Sequence, residues 1–281
     1  MAAFILSGFA DEIDPSMDVQ IRALKKLGIR YVELRGVDGR NITSLTEEET
    51  VRLKEKLDAA SRGVSAIGSP LGKISIYDDF APHLALFDHV VRQAQILGTR
   101  YIRLFSFYDA FDEREEVLRR LGLFLDHTPK GIVLLHENEK AIYGNTAEHC
   151  LDLMHYFEGA PFRATFDPAN LIQEHGEVLE GFDMLAPYID YIHVKDALMK
   201  DGSVVPSGQG DADWSSLLDR LRRMDFQGFT SIEPHLTDFT GFAALEKDAD
   251  TAGKEDQGKG EALFGLAAAS FRAMLLKGEE Q

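Results

Sequence analysis

Four short segments each end a run of apolar residues with a metal-binding side chain. They are Ile132-Val133-Leu134-Leu135-His136-Glu137, Phe162-Arg163-Ala164-Thr165-Phe166-Asp167, Tyr188-Ile189-Asp190-Tyr191-Ile192-His193 and Phe229-Thr230-Ser231-Ile232-Glu233. Each has the form of the C-terminal end of a β-strand, and helix-like sequence separates them. If these strands belong to one parallel barrel, Glu137, Asp167, His193 and Glu233 converge at its mouth. Three carboxylates and an imidazole suit one hard or borderline divalent cation, with oxygen ligands at about 2.1–2.3 Å and open positions for water or substrate.

Side chains alternate along a strand. In Tyr191-Ile192-His193-Val194-Lys195, Ile192 and Val194 suit the outer helices, so His193 and Lys195 point inward. The same parity turns Glu137, Asp167 and Glu233 inward, and with them Glu33, Arg35 and Arg103. Isolated charges there would cost several kcal/mol each unless paired or metal-bound. For any one acid alone, an exposed position just past its strand is the commoner situation. Four on one parity at one end of their strands reverse that preference. His136 has the opposite parity and is expected to pack outward. The first strand ends in Gly8, Phe9 and Ala10 and offers no ligand.

The elements that must position these residues alternate strand and helix about every thirty-five residues. The remaining strands are expected near 4–8, 29–34, 64–67 and 100–105. Helices are expected over 16–27, from Thr46 toward Gly63, over 80–97 and 112–126, then over 146–157, 170–185, 213–224 and 261–276. Thr46 with Glu49 reads as a capping box, and Gly28 and Gly98 as helix C-terminal signals. Eight strands and eight helices in alternation predict a single (β/α)8 TIM barrel over residues 1–281. A doubly wound open sheet is the runner-up, but no Gly-x-Gly-x-x-Gly follows the first strand. The polar segment 237–260, after the eighth strand, is expected to be either a lid over the mouth or a plain insertion.

Forty-seven acids against thirty bases give a formal charge of −17. That balance argues against a nucleic-acid partner. Cys150 is the single cysteine, so no intrachain disulfide forms. The apolar stretch 4–10 is too short for a membrane or signal segment, and Asp11 and Glu12 follow it at once. A cytoplasmic protein without membrane partners is expected, with homo-oligomerisation open.

Five pieces resemble the xylose isomerase-like TIM-barrel superfamily, in particular its sugar phosphate isomerase/epimerase group. They are Leu134-Leu135-His136-Glu137-Asn138, Phe166-Asp167-Pro168-Ala169-Asn170, Ile192-His193-Val194-Lys195-Asp196, Gly208-Gln209-Gly210-Asp211-Ala212-Asp213-Trp214 and Ser231-Ile232-Glu233. The resemblance covers the chain from first strand to eighth helix. It implies one catalytic divalent ion on Glu137, Asp167, His193 and Glu233, manganese first, with magnesium, cobalt or zinc as alternatives. It also implies acid and base roles for Glu137 and Glu233. The chain departs from ketose 3-epimerases of this group, which carry an arginine several residues past the metal histidine; here that stretch is Ala197-Leu198-Met199-Lys200. The His-x-Lys-Asp form resembles inosose dehydratase-like members. The Asp-Thr-Cys-His stretch of the endonuclease IV branch is missing.

The chemistry follows without the resemblance. A carbon beside a carbonyl loses its proton only if the enediolate is stabilised, and a divalent ion on the neighbouring oxygens does that. One carboxylate removes the proton and a second returns it. Glu137 and Glu233, on strands five and eight, can flank a substrate. Each must then use an oxygen the ion leaves free, or a loosened metal bond. Arg103 and Lys195 are expected to touch substrate oxygens, Glu33 to join them, and Arg35 to meet an anionic group. For Lys195 the competing reading is a structural ion pair in the mouth. The leading expectation is an isomerase or epimerase of a small sugar or sugar derivative. The alternatives are a dehydratase of a cyclic polyol ketone or keto acid, and a non-catalytic metabolite-binding barrel.

Overall fold

The computed structural model describes residues 2–236 and 259–277. Nearly all of the segment expected as a lid lies outside the described residues. Gly260, its last residue, opens the final helix.

Eight parallel strands form the barrel: β1 (Ala3–Gly8), β2 (Tyr31–Leu34), β3 (Gly63–Gly68), β4 (Tyr101–Leu104), β5 (Val133–Glu137), β6 (Phe162–Phe166), β7 (Ile189–Val194) and β8 (Gln227–Ile232). The ladder runs β1-β8-β7-β6-β5-β4-β3-β2. β1 and β2 lie side by side and nearly close the ring. An open doubly wound sheet is thereby excluded. The helices are α1 (Met17–Lys26), α2 (Glu47–Ala59), α3 (Phe80–Leu97), α4 (Arg114–Asp126), α5 (Ala147–Tyr156), α6 (Pro168–Gln173), α7 (Val178–Leu185), α8 (Trp214–Arg223) and α9 (Gly260–Lys277).

Local chemistry sets several boundaries. The Thr46 hydroxyl accepts from the Glu49 backbone N–H, and the Glu49 carboxylate accepts from the Thr46 N–H, a reciprocal cap that starts α2. α3 stops at Gly98, whose φ of 72° only glycine adopts cheaply. The single helix expected over 170–185 is a correction. It is broken into α6 and α7, with His175 at φ 59° in the break.

One core packs the sheet against its helices. A second fills the barrel interior with Ala66, Tyr101, Leu135 and Tyr191, flanked by Val133 and Phe229. Tyr191 and Phe229 lie 5.7 Å apart, and Tyr31 meets Phe229 edge-on at 5.0 Å. Burying one such ring removes about 150–250 Å² from water, roughly 4–6 kcal/mol at ~25 cal/mol per Å². That aromatic floor offsets the cost of the polar layer above it. There Ser65 Oγ lies 2.6 Å from Ser7 Oγ and 2.8 Å from the Tyr191 hydroxyl. No described helix is long and apolar enough to cross a membrane.

Candidate active site

Glu137 is the last residue of β5, and His193 the penultimate residue of β7. Asp167 and Glu233 stand one residue beyond β6 and β8. All four are buried, and one ligand atom from each lies within 4.8 Å of the others. Two ligands on opposite sides of one ion at about 2.1–2.3 Å would be about 4.2–4.6 Å apart, so the cluster has the dimensions of a single coordination shell.

His193 Nδ1 faces the three acids, at 2.9 Å from Glu137 Oε1, 3.1 Å from Glu233 Oε2 and 3.9 Å from Asp167 Oδ2. Its Nε2 faces Glu33 at 3.4 Å. A carboxylate there fixes the proton on Nε2 and leaves the Nδ1 lone pair for a cation. Burial alone would lower the His193 pKa. The charges of Glu137, Glu33 and Glu233 outweigh it and push the pKa well above its ordinary value.

The Asn residues in two of the quoted motifs hold this arrangement. Asp167 caps α6: its side chain accepts from the Asn170 N–H at 2.9 Å, with Pro168 in the first turn. The Asn138 amide clamps the Asp167 backbone through both polar groups, donating to its C=O at 2.7 Å and accepting from its N–H at 2.9 Å. Asn170 Nδ2 donates to Glu137 Oε1 at 3.3 Å, and Asn170 Oδ1 accepts from Lys195 Nζ at 2.8 Å. The Asp167 carboxyl is pushed up to about 7 by burial, against the opposing pull of Lys195.

Asp167 Oδ2 and Glu233 Oε2 are buried without a hydrogen bond. Six buried carboxylates (Asp11, Glu12, Glu33, Glu137, Asp167, Glu233) surround three buried cations, Arg35, Arg103 and Lys195. The acid surplus, the orphaned oxygens and the nitrogen donor together fit a divalent ion.

The structure brings the expected substrate contacts to different places. Arg103 Nη1 lies 3.1 Å from Glu137 Oε2, and its guanidinium stacks 4.5 Å from the Phe105 ring. Lys195 lies 3.5 Å from Asp167 Oδ2, and both Arg103 and Lys195 line a cavity of about 220 Å³ in the mouth. Glu33 does not line it; it lies against the buried ring of His193. Arg35 lines the cavity, yet its guanidinium donates to Asp11 at 2.8 and 3.1 Å, Glu12 at 3.1 Å and Glu233 at 3.1 Å. His136 points out of the barrel, as its parity requires, and its Nε2 meets Ser106 at 3.0 Å.

Sequence reasoning missed Glu12 and His235. With Glu233 they form a second group of potential ligands. His235 shares the parity of Glu233 and was findable on that ground. Glu12 lies in the short turn Ala10–Glu12 after β1, past the Gly8, Phe9 and Ala10 that offer no ligand, so no strand parity points to it. Burial, opposed by Arg35, pushes Glu12 up to about 8. The glycine motif after β7 carries no phosphate cradle. The N–H groups of Gly208, Gly210, Ala212 and Ala197 all donate to the Asp196 carboxylate. Trp214 Nε1 in turn donates to the Lys195 C=O at 3.3 Å.

An eight-stranded parallel barrel with an acid–imidazole cluster at the C-terminal ends of its strands is a TIM barrel with a candidate metal centre. The chain belongs to the xylose isomerase-like TIM barrel family, whose model matches residues 21–255. No curated protein matches the chain. Among solved structures, a xylose isomerase domain protein from Planctomyces limnophilus is 22% identical with a TM-score of 0.68, covering 83% of this chain and 91% of its own. A probable 3-DHS dehydratase, AsbF, from Bacillus anthracis is 17% identical with a TM-score of 0.69, covering 97% and 99%. An L-ribulose 3-epimerase is 15% identical with a TM-score of 0.74, covering 100% and 96%. At these identities the likenesses carry the fold.

Proposed function

We propose that the protein is a divalent-metal-dependent isomerase or epimerase of a small sugar or sugar derivative. One observation carries the reading: Glu137 and Glu233, three strands apart, both line the cavity and both turn an oxygen toward His193 Nδ1. Glu137, Asp167, His193 and Glu233 would hold the ion, which when bound supplies Lewis-acid stabilisation of negative charge on substrate oxygens. Manganese is the proposed metal.

Each glutamate divides its two oxygens. Glu137 gives Oε1 to His193 and Oε2 to Arg103, while Glu233 gives Oε2 to His193 and Oε1 to Arg35 and His235. The oxygen that does not face the ligand cluster is the one available for a proton. One glutamate removes the proton beside the carbonyl and the other returns it, to the opposite face in an epimerase or to the adjacent carbon in an isomerase. Arg103 and Lys195 bind and orient substrate oxygens. Arg35 anchors Glu233 rather than substrate, and Glu33 orients His193. The cavity is smaller than pockets for drug-sized ligands, about 300–1,000 Å³, which suits a small metabolite.

Dehydration is the second reading, favoured by the Lys195 ammonium beside the cluster. Burial would strip its proton, but Asp167 leads the nearby acids in raising its pKa, so it stays charged and can hydrogen-bond to a departing hydroxyl and stabilise the charge that leaves with it. Proton NMR in D2O on a panel of ketoses, polyol ketones and keto acids separates the two. Deuterium uptake with the carbon skeleton and oxygens intact means isomerisation or epimerisation, and loss of water means dehydration. A metal-loaded protein that exchanges no proton across the panel would leave a binding barrel.

A further inference from the structure

Glu12, Glu233 and His235 form a second group of ligand-type side chains beside the four-residue cluster, and their ligand atoms also lie within 4.8 Å of one another. Glu233 belongs to both groups and divides its oxygens between them. Its Oε2 lies 3.1 Å from His193 Nδ1, and its Oε1 lies 3.2 Å from His235 Nε2. His235 Nε2 is also 3.4 Å from Glu12 Oε1. Two carboxylates and an imidazole, joined to a first centre through a shared carboxylate, would suit a second divalent ion. That position already holds a cation. Arg35 Nη1 lies 3.1 Å from Glu233 Oε1 and 3.5 Å from His235 Nε2, and Nη2 lies 3.1 Å from Glu12 Oε1. The Asp11 carboxylate grips the other edge of the guanidinium, accepting from Nε at 2.8 Å and from Nη2 at 3.1 Å. The guanidinium also lies 4.3 Å from the Phe9 ring centre. Arg35 is therefore locked in place, and a guanidinium stays charged in proteins.

We propose, resting on the metal-dependent reaction proposed above, that Arg35 sets the number of ions: its guanidinium takes the second cation position, limits the barrel mouth to one divalent ion, and so keeps Glu233 Oε1 available for a proton. A second dication on Oε1 would tie up both oxygens of Glu233 and favour its charged form far more than one guanidinium does. A single delocalised charge at hydrogen-bond distance holds the carboxylate in place and leaves that oxygen able to take a proton and return it.

The test counts manganese on the full chain by elemental analysis and electron paramagnetic resonance. The wild-type protein should saturate at one ion per chain, with the signal of an isolated ion. Arg35→Met should take two. Because both would share Glu233, about 3.5–4 Å apart, their signal should be that of a coupled pair. Adding Glu12→Gln to Arg35→Met should return the count to one. Melting temperatures confirm folding, and Arg35→Gln, neutral but able to donate to Asp11, replaces the methionine variant if that one does not fold. Three results overturn the proposal: a wild-type chain that takes a second, coupled ion, a count that needs no variant; a folded Arg35→Met or Arg35→Gln chain that stops at one; or a count of two that survives Glu12→Gln. Deuterium exchange in the same samples separates the two ideas. A count that rises from one to two on losing Arg35, without proton exchange on any panel member, would sink the reaction and spare the role of Arg35. Exchange by a wild-type chain carrying two coupled ions would do the reverse.

Discussion

Arg35→Met tests whether the cation beneath the site holds it together. The guanidinium is 3% exposed and serves three acids, two contacts to Asp11 and one each to Glu12 and Glu233, all within 3.1 Å. Glu12, at about 8, is mostly protonated at pH 7, so the contacts to Asp11 and Glu233 carry most of the pairing. Removing one partner of a buried ion pair costs about 3–5 kcal/mol, because the other charge is left uncompensated. Methionine keeps an apolar stem against the Phe9 ring, which the guanidinium overlies at 4.3 Å, so the loss is chiefly electrostatic. Urea unfolding at pH 7 in chelator should show a drop of that size, a large share of the ~5–15 kcal/mol typical of a domain. The pH dependence has a definite sign. Glu12 is raised above its ordinary 4.5, so its contribution is present below that pH and is lost as pH rises through about 8. Arg35 is the main influence limiting that loss, so the deficit of the variant should widen above pH 8. A drop under about 1 kcal/mol, or a deficit that narrows above pH 8, would refute the reasoning.

Glu137→Gln and Glu233→Gln should each lower deuterium exchange about 10²–10⁴-fold, with bound metal measured in each variant; a loss under about tenfold would count against that residue as acid or base. His83 accepts from the Gly72 N–H at 2.8 Å, and burial lowers its pKa to about 4. Its contribution is therefore full above about 6.5 and lost as pH falls through 4, on the order of 3 kcal/mol in all, and His83→Gln should flatten that part of the stability profile. A Cβ on Gly210 would stand 2.2 Å from Asp196 Oδ1, so Gly210→Ala should expel the loop from Asp196 and lower the melting temperature, whereas an unchanged melt would show that the loop is not clamped.

Much of the site was legible because strand parity is rigid. A period of two, read from apolar neighbours, is enough to turn Glu137, Asp167, His193 and Glu233 to one side. The caps of α2 and α3 were legible because they are local. The break between α6 and α7 was not, since the apolar pair Leu171 and Ile172 is repeated in helical phase seven residues on at Val178 and Leu179, and within the polar stretch between them only Gly176 signals a break. The hairpin joining Gly36–Val37 to Arg40–Asn41 was findable, because Asp38-Gly39 is the dipeptide of a tight turn with both φ angles positive. Lys73 and Glu139, which line the mouth cavity, escaped notice for a physical reason. They sit in loops, and no periodicity says where a loop returns to the mouth. Arg35 was placed on the correct face, and its contacts to Asp11 and Glu12 were not legible because those acids lie beyond the end of β1, where strand parity says nothing.

The central claim is that one divalent ion sits among Glu137, Asp167, His193 and Glu233. The most direct test is an anomalous difference map at the manganese absorption edge from crystals of the manganese-loaded protein. The account predicts one strong peak about 2.1–2.3 Å from a carboxylate oxygen of each acid and bonded to His193 Nδ1. A peak seated instead between Glu12, Glu233 and His235, or no peak in the barrel mouth, would contradict it.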